Sequence, residues 1–288
     1  MAKRNNPIVS VRNTALLAVS VAEYWQRYFG NRRFPANQEY YVVYTSLDQA
    51  VPFQPESASR YWLINFSFLP TALRLGNTVP DERFQAIRAA YREIVKEGVS
   101  AFRKAPTIMP HFSLSDSSAA RAARTLLKPI NCCPSLHTAS PLFLYNLGAE
   151  YLPGAEPALR KHIGDIVSTV IKAKFHAIID VAFGMLLTRR ILENSLGLEF
   201  RSLETFFIEE QGKQDQVPYE HIFRMYREIY ELEKTMGGEE TTLAKIMERY
   251  FQEIGLPRVR RQASACYYDL DRKTLAYPSE LRVGKGLL

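Results

Sequence analysis

The sequence predicts an all-α fold, a helical bundle with little extended structure. Three observations carry this. Apolar residues recur at helical spacing through Asp81 to Lys104, with Phe84, Ile87, Ala90, Tyr91, Ile94, Val95 and Val99 on one side. Two more amphipathic stretches, Tyr219 to Thr235 and Glu240 to Ile254, flank Met236-Gly237-Gly238. Between these regions most of the chain is apolar runs of helical length, punctuated by Pro and Gly.

In chain order, Glu39 to Thr45 (EYYVVYT) departs from helix, because aromatic and β-branched residues favour an extended backbone. Pro80 precedes the Asp81 to Lys104 helix and Pro106 lies just past its end. Asp116 or Ser117 caps a helix to about Leu127, which stops before Pro129. Pro134 suits the first turn of a helix that carries the apolar run Leu136 to Leu147, and Gly148 and Pro153-Gly154 follow it. Leu159 to about Leu196 is a long helical stretch, one helix or two. Gln211 to Pro218 is polar and marks the best boundary. We therefore expect a helical core over residues 1–200 and a helical C-terminal extension over 201–288, packed on that core. The extension ends in Ala265 to Tyr277, which reads as a small β-hairpin turning near Asp271-Arg272.

Composition narrows the function classes. The chain has 288 residues, 47% of them hydrophobic, which is ample for a sizeable core and excludes a disordered or collagen-like chain. The net charge of +7 fits an anionic partner of any kind: nucleic acid, a membrane surface or a phosphorylated substrate. No motif for base readout accompanies it, so nucleic acid is not expected. There is no Walker loop, no G-x-G-x-x-G and no G-x-S-x-G. Three cysteines without C-x-x-C spacing argue against a disulfide scaffold and a zinc site, and point to a reduced, cytoplasmic setting. A membrane span needs about 20 mostly apolar residues. Tyr61 to Leu75 and Ile163 to Leu187 are interrupted by polar and charged residues, and Ala15 to Ala22 is too short for a span or a signal peptide. The expectation is a soluble chain, with room for peripheral contact with a membrane.

Two segments carry chemistry. In the second, His176 and Asp180 are four apart, which on a helix puts them on one face. A carboxylate there fixes the imidazole tautomer and leaves the other nitrogen as a nucleophile or base. In the first, Ser135 and His137 follow Pro134 at a helix start, where backbone N–H groups favour a phosphate oxygen. A histidine there is placed to protonate a leaving oxygen. A lone His-x-x-x-Asp pair is more often structural; the second histidine, about 40 residues upstream on its own helix start, shifts the balance towards catalysis.

Pro134-Ser135-Leu136-His137 with His176-x-x-x-Asp180 resembles the type 2 phosphatidic acid phosphatase superfamily, which includes lipid phosphatases, bacterial acid phosphatases, inositol phosphoceramide synthases and vanadium haloperoxidases. The P-S-L-H form is similar to the inositol phosphoceramide synthase branch. Leu47-Asp48-Gln49-Ala50-Val51-Pro52-Phe53-Gln54-Pro55, Pro106-Thr107-Ile108-Met109-Pro110 and Lys128-Pro129-Ile130-Asn131-Cys132 resemble further stretches of that branch. The likeness spans about Tyr44 to Arg190. It implies a bundle of the phosphatase–haloperoxidase type, with His176 as nucleophile, Asp180 orienting it, His137 as general acid and Ser135 holding phosphoryl oxygens.

The chain departs from the pattern where arginines belong. For the first motif, K-x6-R-P, Lys96 and Arg103 have the spacing, but Lys104-Ala105 follows. Aligning through P-T-x-x-P puts His111 at the arginine, and Arg121-x6-Lys128-Pro129 is a third choice. For the third motif, S-R-x5-H-x3-D, Thr169 and Val170 stand at Ser and Arg, with Lys172 and Lys174 nearby. Lysine offers one point charge where arginine offers a planar fork. The candidate phosphate-binding residues are thus Ser135, Thr169, Lys172, Lys174, Lys96, Arg103, Lys104, His111, Arg121 and Lys128.

The resemblance implies metal-independent hydrolysis of a phosphate or diphosphate ester of a lipid or isoprenoid, through a phosphohistidine and with no cofactor. The lost arginines favour a second reading, a terpene cyclase that ionises a prenyl diphosphate in the same pocket and admits Mg2+. A vanadium haloperoxidase, the one reading that takes vanadate, and a non-catalytic binder of a phosphorylated ligand come behind. The 16 Tyr and 16 Phe are expected mostly in ordinary core packing. Arg258-Val259-Arg260-Arg261 reads as a solvated loop, Asp269-Leu270-Asp271 as turn chemistry, and His162 and His221 as structural or surface residues.

Overall fold

In a computed structural model, the described residues are 39–54, 56–57, 60, 67–108, 132–237 and 241–258, with the backbone alone of 111–112, 259–260, 267–269 and 274–276. The fold is all-α. Strand β1 (Glu39–Val42) leads to the short helix α1 (Ser46–Ala50). Helices α2 (Leu69–Thr78) and α3 (Asp81–Lys104) follow, then strands β2 (Thr107–Ile108) and β3 (His111–Phe112). Helices α4 (Leu136–Tyr151), α5 (Glu156–Lys172) and α6 (Ile178–Ile191) form the centre, and α6 runs on into a π-helical turn, Leu192–Leu196. A second π-helical turn, Phe206–Gln211, precedes α7 (Tyr219–Met236), α8 (Leu243–Glu253) and strands β4 (Arg258–Arg260), β5 (Tyr267–Asp269) and β6 (Thr274–Ala276).

Helix α3 has the bounds its periodicity predicts, with Asp81 and Glu82 in the first turn and Arg103 and Lys104 in the last, each complementing the dipole. Helices α4 and α6 differ in kind. Every residue from Leu136 to Gly148 is buried, as is nearly all of α6, so they are central helices with no polar face. They run in the same direction. Ser135 N–H donates to the Asp180 carbonyl at 2.9 Å, and one turn further along α4 and two along α6 Thr188 Oγ1 donates to the Ala139 carbonyl at 3.1 Å. Their N-termini therefore sit side by side. Helices α7 and α8 cover α6 and α3, and their residues Ile222, Phe223, Ile246 and Phe251 belong to the same apolar core as Phe143 and Phe183. No helix of the described residues is long and apolar enough to cross a membrane.

Some local expectations are corrected. The stretch from Leu159 to Leu196 is broken at 173–177, where Lys174 adopts a left-handed φ of 55°. His176 thus lies in the turn before α6 and shares no helix face with Asp180. Pro134 is outside its helix, because Ser135 is the N-cap and its hydroxyl accepts from Thr138 N–H. Arg258–Arg260 is not a solvated loop. It pairs antiparallel with β1, which it meets at Tyr41↔Arg258, while β2 pairs parallel on the other side. Arg258 donates to the Tyr41 hydroxyl and stacks 4.4 Å over its ring, and it stays exposed on the strand. The expected hairpin is present as β5 and β6, paired antiparallel with Tyr268 opposite Leu275. The helix expected to end near Leu127, and the turn at Asp271, lie outside the described residues.

Candidate active site

The convergence of the α4 and α6 N-termini brings His137 and His176 together. His137 Nδ1 is 3.0 Å from His176 Nε2. His176 Nδ1 is 3.0 Å from the Cys132 carbonyl and 3.3 Å from Asp180 Oδ2. A carbonyl only accepts, so His176 carries its proton on Nδ1 and its Nε2 lone pair faces His137, which must donate from Nδ1. Asp180 is the N3 acid of α6, and its Oδ2 also accepts from Ala177 N–H at 2.9 Å.

The chain folds locally to hold this tautomer. Thr107 Oγ1 accepts from both Cys132 N–H and Cys133 N–H, at 3.1 and 3.0 Å, which fixes the carbonyl that meets His176. The Val170 carbonyl accepts from Phe175 N–H and His176 N–H, closing the turn. Among the described residues no group of His, Cys, Asp and Glu side chains is gathered to hold a metal ion.

The site is buried, and burial sets its charge. It lowers His176 from 6.5 to about 4, against the raising effect of the Cys132 carbonyl. Burial, then the neighbouring His176, also lowers His137 well below its ordinary value. Burial pushes the Asp180 carboxyl and the Cys133 thiol well up, and the Asp180 charge adds to the latter. Both rings are therefore neutral at pH 7, with a lone pair ready for chemistry.

A pH prediction follows. In an NMR titration the His176 ring signal keeps its neutral shift down to about pH 5, where an ordinary histidine is charged, and the His137 ring also stays neutral well below the ordinary histidine range. The linked stability has a definite sign. His176 contributes stability that is present above pH 6.5 and lost as pH falls through about 4. Asp48, raised by burial to about 6, acts oppositely: its contribution is present below 3.8 and lost as pH rises through 6. Comparing unfolding free energies of wild type and His176→Asn across this window isolates the histidine, and an unchanged pH slope would refute its neutral burial.

The sequence candidates separate into two groups. Brought together are His137, His176, Asp180 and Ser135. Ser135 is fully buried, and its Oγ accepts from Thr138 N–H and Thr138 Oγ1. The basic candidates go elsewhere. Lys96 is exposed and pairs with Glu93 at 3.1 Å. Arg103 and Lys104 are exposed in the last turn of α3. Lys172 faces Asp215 at 3.9 Å. Lys174 is buried, and its ammonium donates to the carbonyls of Asp48 and Val51. Thr169 lies in the last turn of α5, where its carbonyl accepts from Ala173 N–H. Val170, which the resemblance aligns with an arginine, is wholly buried. The side chain of His111 and all of Arg121 and Lys128 lie outside the described residues. Residues the motif reading gave no role are Thr107, Cys132 and Asp48. Each lies in a stretch whose sequence offers a likeness and no chemistry of its own.

No family model, curated protein or solved structure matches the chain.

Proposed function

We propose that the chain is a phosphoryl-transfer enzyme acting on a phosphate or diphosphate ester of a lipid or isoprenoid, with His176 as nucleophile. The observation that carries this is the contact between His176 Nε2 and His137 Nδ1, with the opposite nitrogen of His176 anchored by a carbonyl and a carboxyl. Two helix N-termini beside the pair favour the negative charge of a phosphoryl group.

The substrate's phosphoryl group replaces the contact between the rings. Its negative charge raises the proton affinity of His137, which becomes an imidazolium. The His176 lone pair attacks phosphorus and forms a P–N bond. The P–O bond to the leaving group breaks, and His137 gives that oxygen its proton. Water then attacks the phosphohistidine, His137 takes the water's proton, and phosphate leaves. An apolar cleft of about 530 Å³, solvent at its mouth included, is lined by Phe84, Ile87, Tyr91, Phe143 and Leu144 among others. Leu144 lies two turns along α4 from His137 on the same face, about 10 Å away. The cleft is apolar, and neither histidine lines it, so the hydrocarbon part of the substrate rests on the resemblance.

Val170 favours the second reading, a cyclase. A buried valine where the family has an arginine removes a fork that stabilises a transferring phosphoryl group. The deciding experiment gives the protein farnesyl and geranylgeranyl diphosphate, each with and without magnesium. Linear prenyl monophosphate with free phosphate, independent of magnesium, is the expected result. A cyclic product with intact pyrophosphate would replace phosphoryl transfer by carbon–oxygen ionisation.

A further inference from the structure

We propose that Asp48 is a positioning residue for His176, acting through the backbone on both sides of that ring. Asp48 lies 130 residues before Ile178 in sequence, yet its Oδ1 accepts from Ile178 N–H at 2.7 Å. Ile178 opens α6, two residues after His176. Its Oδ2 accepts from Thr45 N–H and Thr45 Oγ1, both at 2.8 Å, which locks the carboxylate in the capping turn of α1. On the other side of His176, the Lys174 ammonium donates to the Asp48 and Val51 carbonyls and lies 5.7 Å from the centre of the Tyr44 ring. Two residues before Lys174, the Lys172 carbonyl accepts from Gln54 N–H at 3.0 Å. Residues 172, 174 and 178 are thus all fixed to the segment 45–54, and His176 is carried between them.

This arrangement explains two costly features. A fully buried carboxylate is expensive unless its oxygens are satisfied, and both oxygens of Asp48 are. A lysine at φ 55° is strained, and the strain persists only where surrounding bonds over-determine it. Here the ammonium's two carbonyl bonds do so. Lys174 therefore shapes the turn from behind, a different task from binding phosphate. Asp48 touches neither histidine and acts on His176 alone through main-chain geometry, as outer-shell groups do in sites that need an exact ring orientation.

The catalytic arm of the test rests on the phosphoryl-transfer reading; the spectroscopic arm does not. The full chain is prepared as wild type, Asp48→Ala and Asp48→Asn, with ¹⁵N-labelled histidine. Asparagine keeps an acceptor for Ile178 and protects the fold if the alanine variant is too unstable. In wild type the His176 ring shows a single tautomer with a protected Nδ1–H. In Asp48→Ala that signal broadens or shifts to a mixture of tautomers, and kcat on a prenyl diphosphate falls about 10- to 100-fold with KM within about threefold, whereas Asp48→Asn, which keeps the bond to Ile178, stays closer to wild type in both readouts. A lowered melting temperature with an unchanged His176 spectrum and unchanged kcat would make Asp48 a purely structural residue and overturn the proposal. A wild type that turns over neither prenyl diphosphates nor lipid phosphate esters refutes the phosphoryl-transfer reading, and the ring spectra then decide Asp48 by themselves.

Discussion

With phosphoryl transfer as the proposed activity, His176→Ala lowers turnover by about 10⁴-fold or more, because it removes the proposed nucleophile. His137→Ala leaves that atom in place and behaves differently. It slows turnover about 10²- to 10⁴-fold on esters with poor leaving groups, the usual range for a lost general acid, and less on p-nitrophenyl phosphate, whose leaving group needs no proton. It also slows the attack of water, so a phosphoenzyme accumulates. The measurement is a quench with ³²P-labelled substrate. Label appears in His137→Ala, survives alkali and is released by acid, as a phosphorus–nitrogen bond requires, and His176→Ala takes up none. Truncating His176 leaves the His137 Nδ1–H without its partner in a buried site, at a cost of about 1–3 kcal/mol. Melting curves must therefore accompany the kinetics, and His176→Asn limits the cavity. Label retained in a folded His176 variant would place the nucleophile elsewhere.

The fold was legible where one helix face meets water. Helix α3 shows apolar periodicity and proline punctuation, and its bounds coincide with those predicted. Helices α4 and α6 are buried on all sides, so they carry no periodicity, and the sequence marks them only as apolar runs. The break at 173–177 is invisible locally, because tertiary bonds from Lys174 to carbonyls 123 and 126 residues away hold it. The two histidines and Asp180 were legible from chemistry and spacing, although the shared helix face assumed for them is absent. Their true geometry comes from the parallel start of two helices. The lysines misled for a physical reason: a charge in sequence does not reveal its direction. Lys96 turns to Glu93, Lys172 to Asp215 and Lys174 to main-chain carbonyls. Asp48 escaped because its local bonds to Thr45 read as ordinary helix capping, while the partner that ties it to the site, Ile178, lies 130 residues away.

Gly184→Ala destabilises the protein and separates the two histidines. Helix propensity alone predicts the opposite, a gain of about 1 kcal/mol for alanine in the interior of α6. Packing decides. A Cβ at 184 would lie 2.7 Å from the Ser135 carbonyl oxygen and 3.2 Å from Thr138 Cβ. That oxygen cannot swing aside, because it accepts the Ala139 and Thr138 N–H groups that begin α4. The methyl group therefore pushes the N-terminus of α4 from α6, and His137 moves with it. We expect a net loss of about 1–3 kcal/mol, typical of overpacking. We also expect turnover to fall about 10- to 100-fold in the folded fraction, since a displacement near 1 Å suffices for that. Gly98→Ala is the control. Its Cβ would meet Leu136 Cδ2, also at 2.7 Å, but that atom is the end of a flexible side chain. Leu136 can rotate, so stability stays within about 1 kcal/mol of wild type and turnover is kept. Urea midpoints and kcat for the two variants read the difference. Equal behaviour of the pair would mean that the contact between the two helix starts does not set the distance between the histidines.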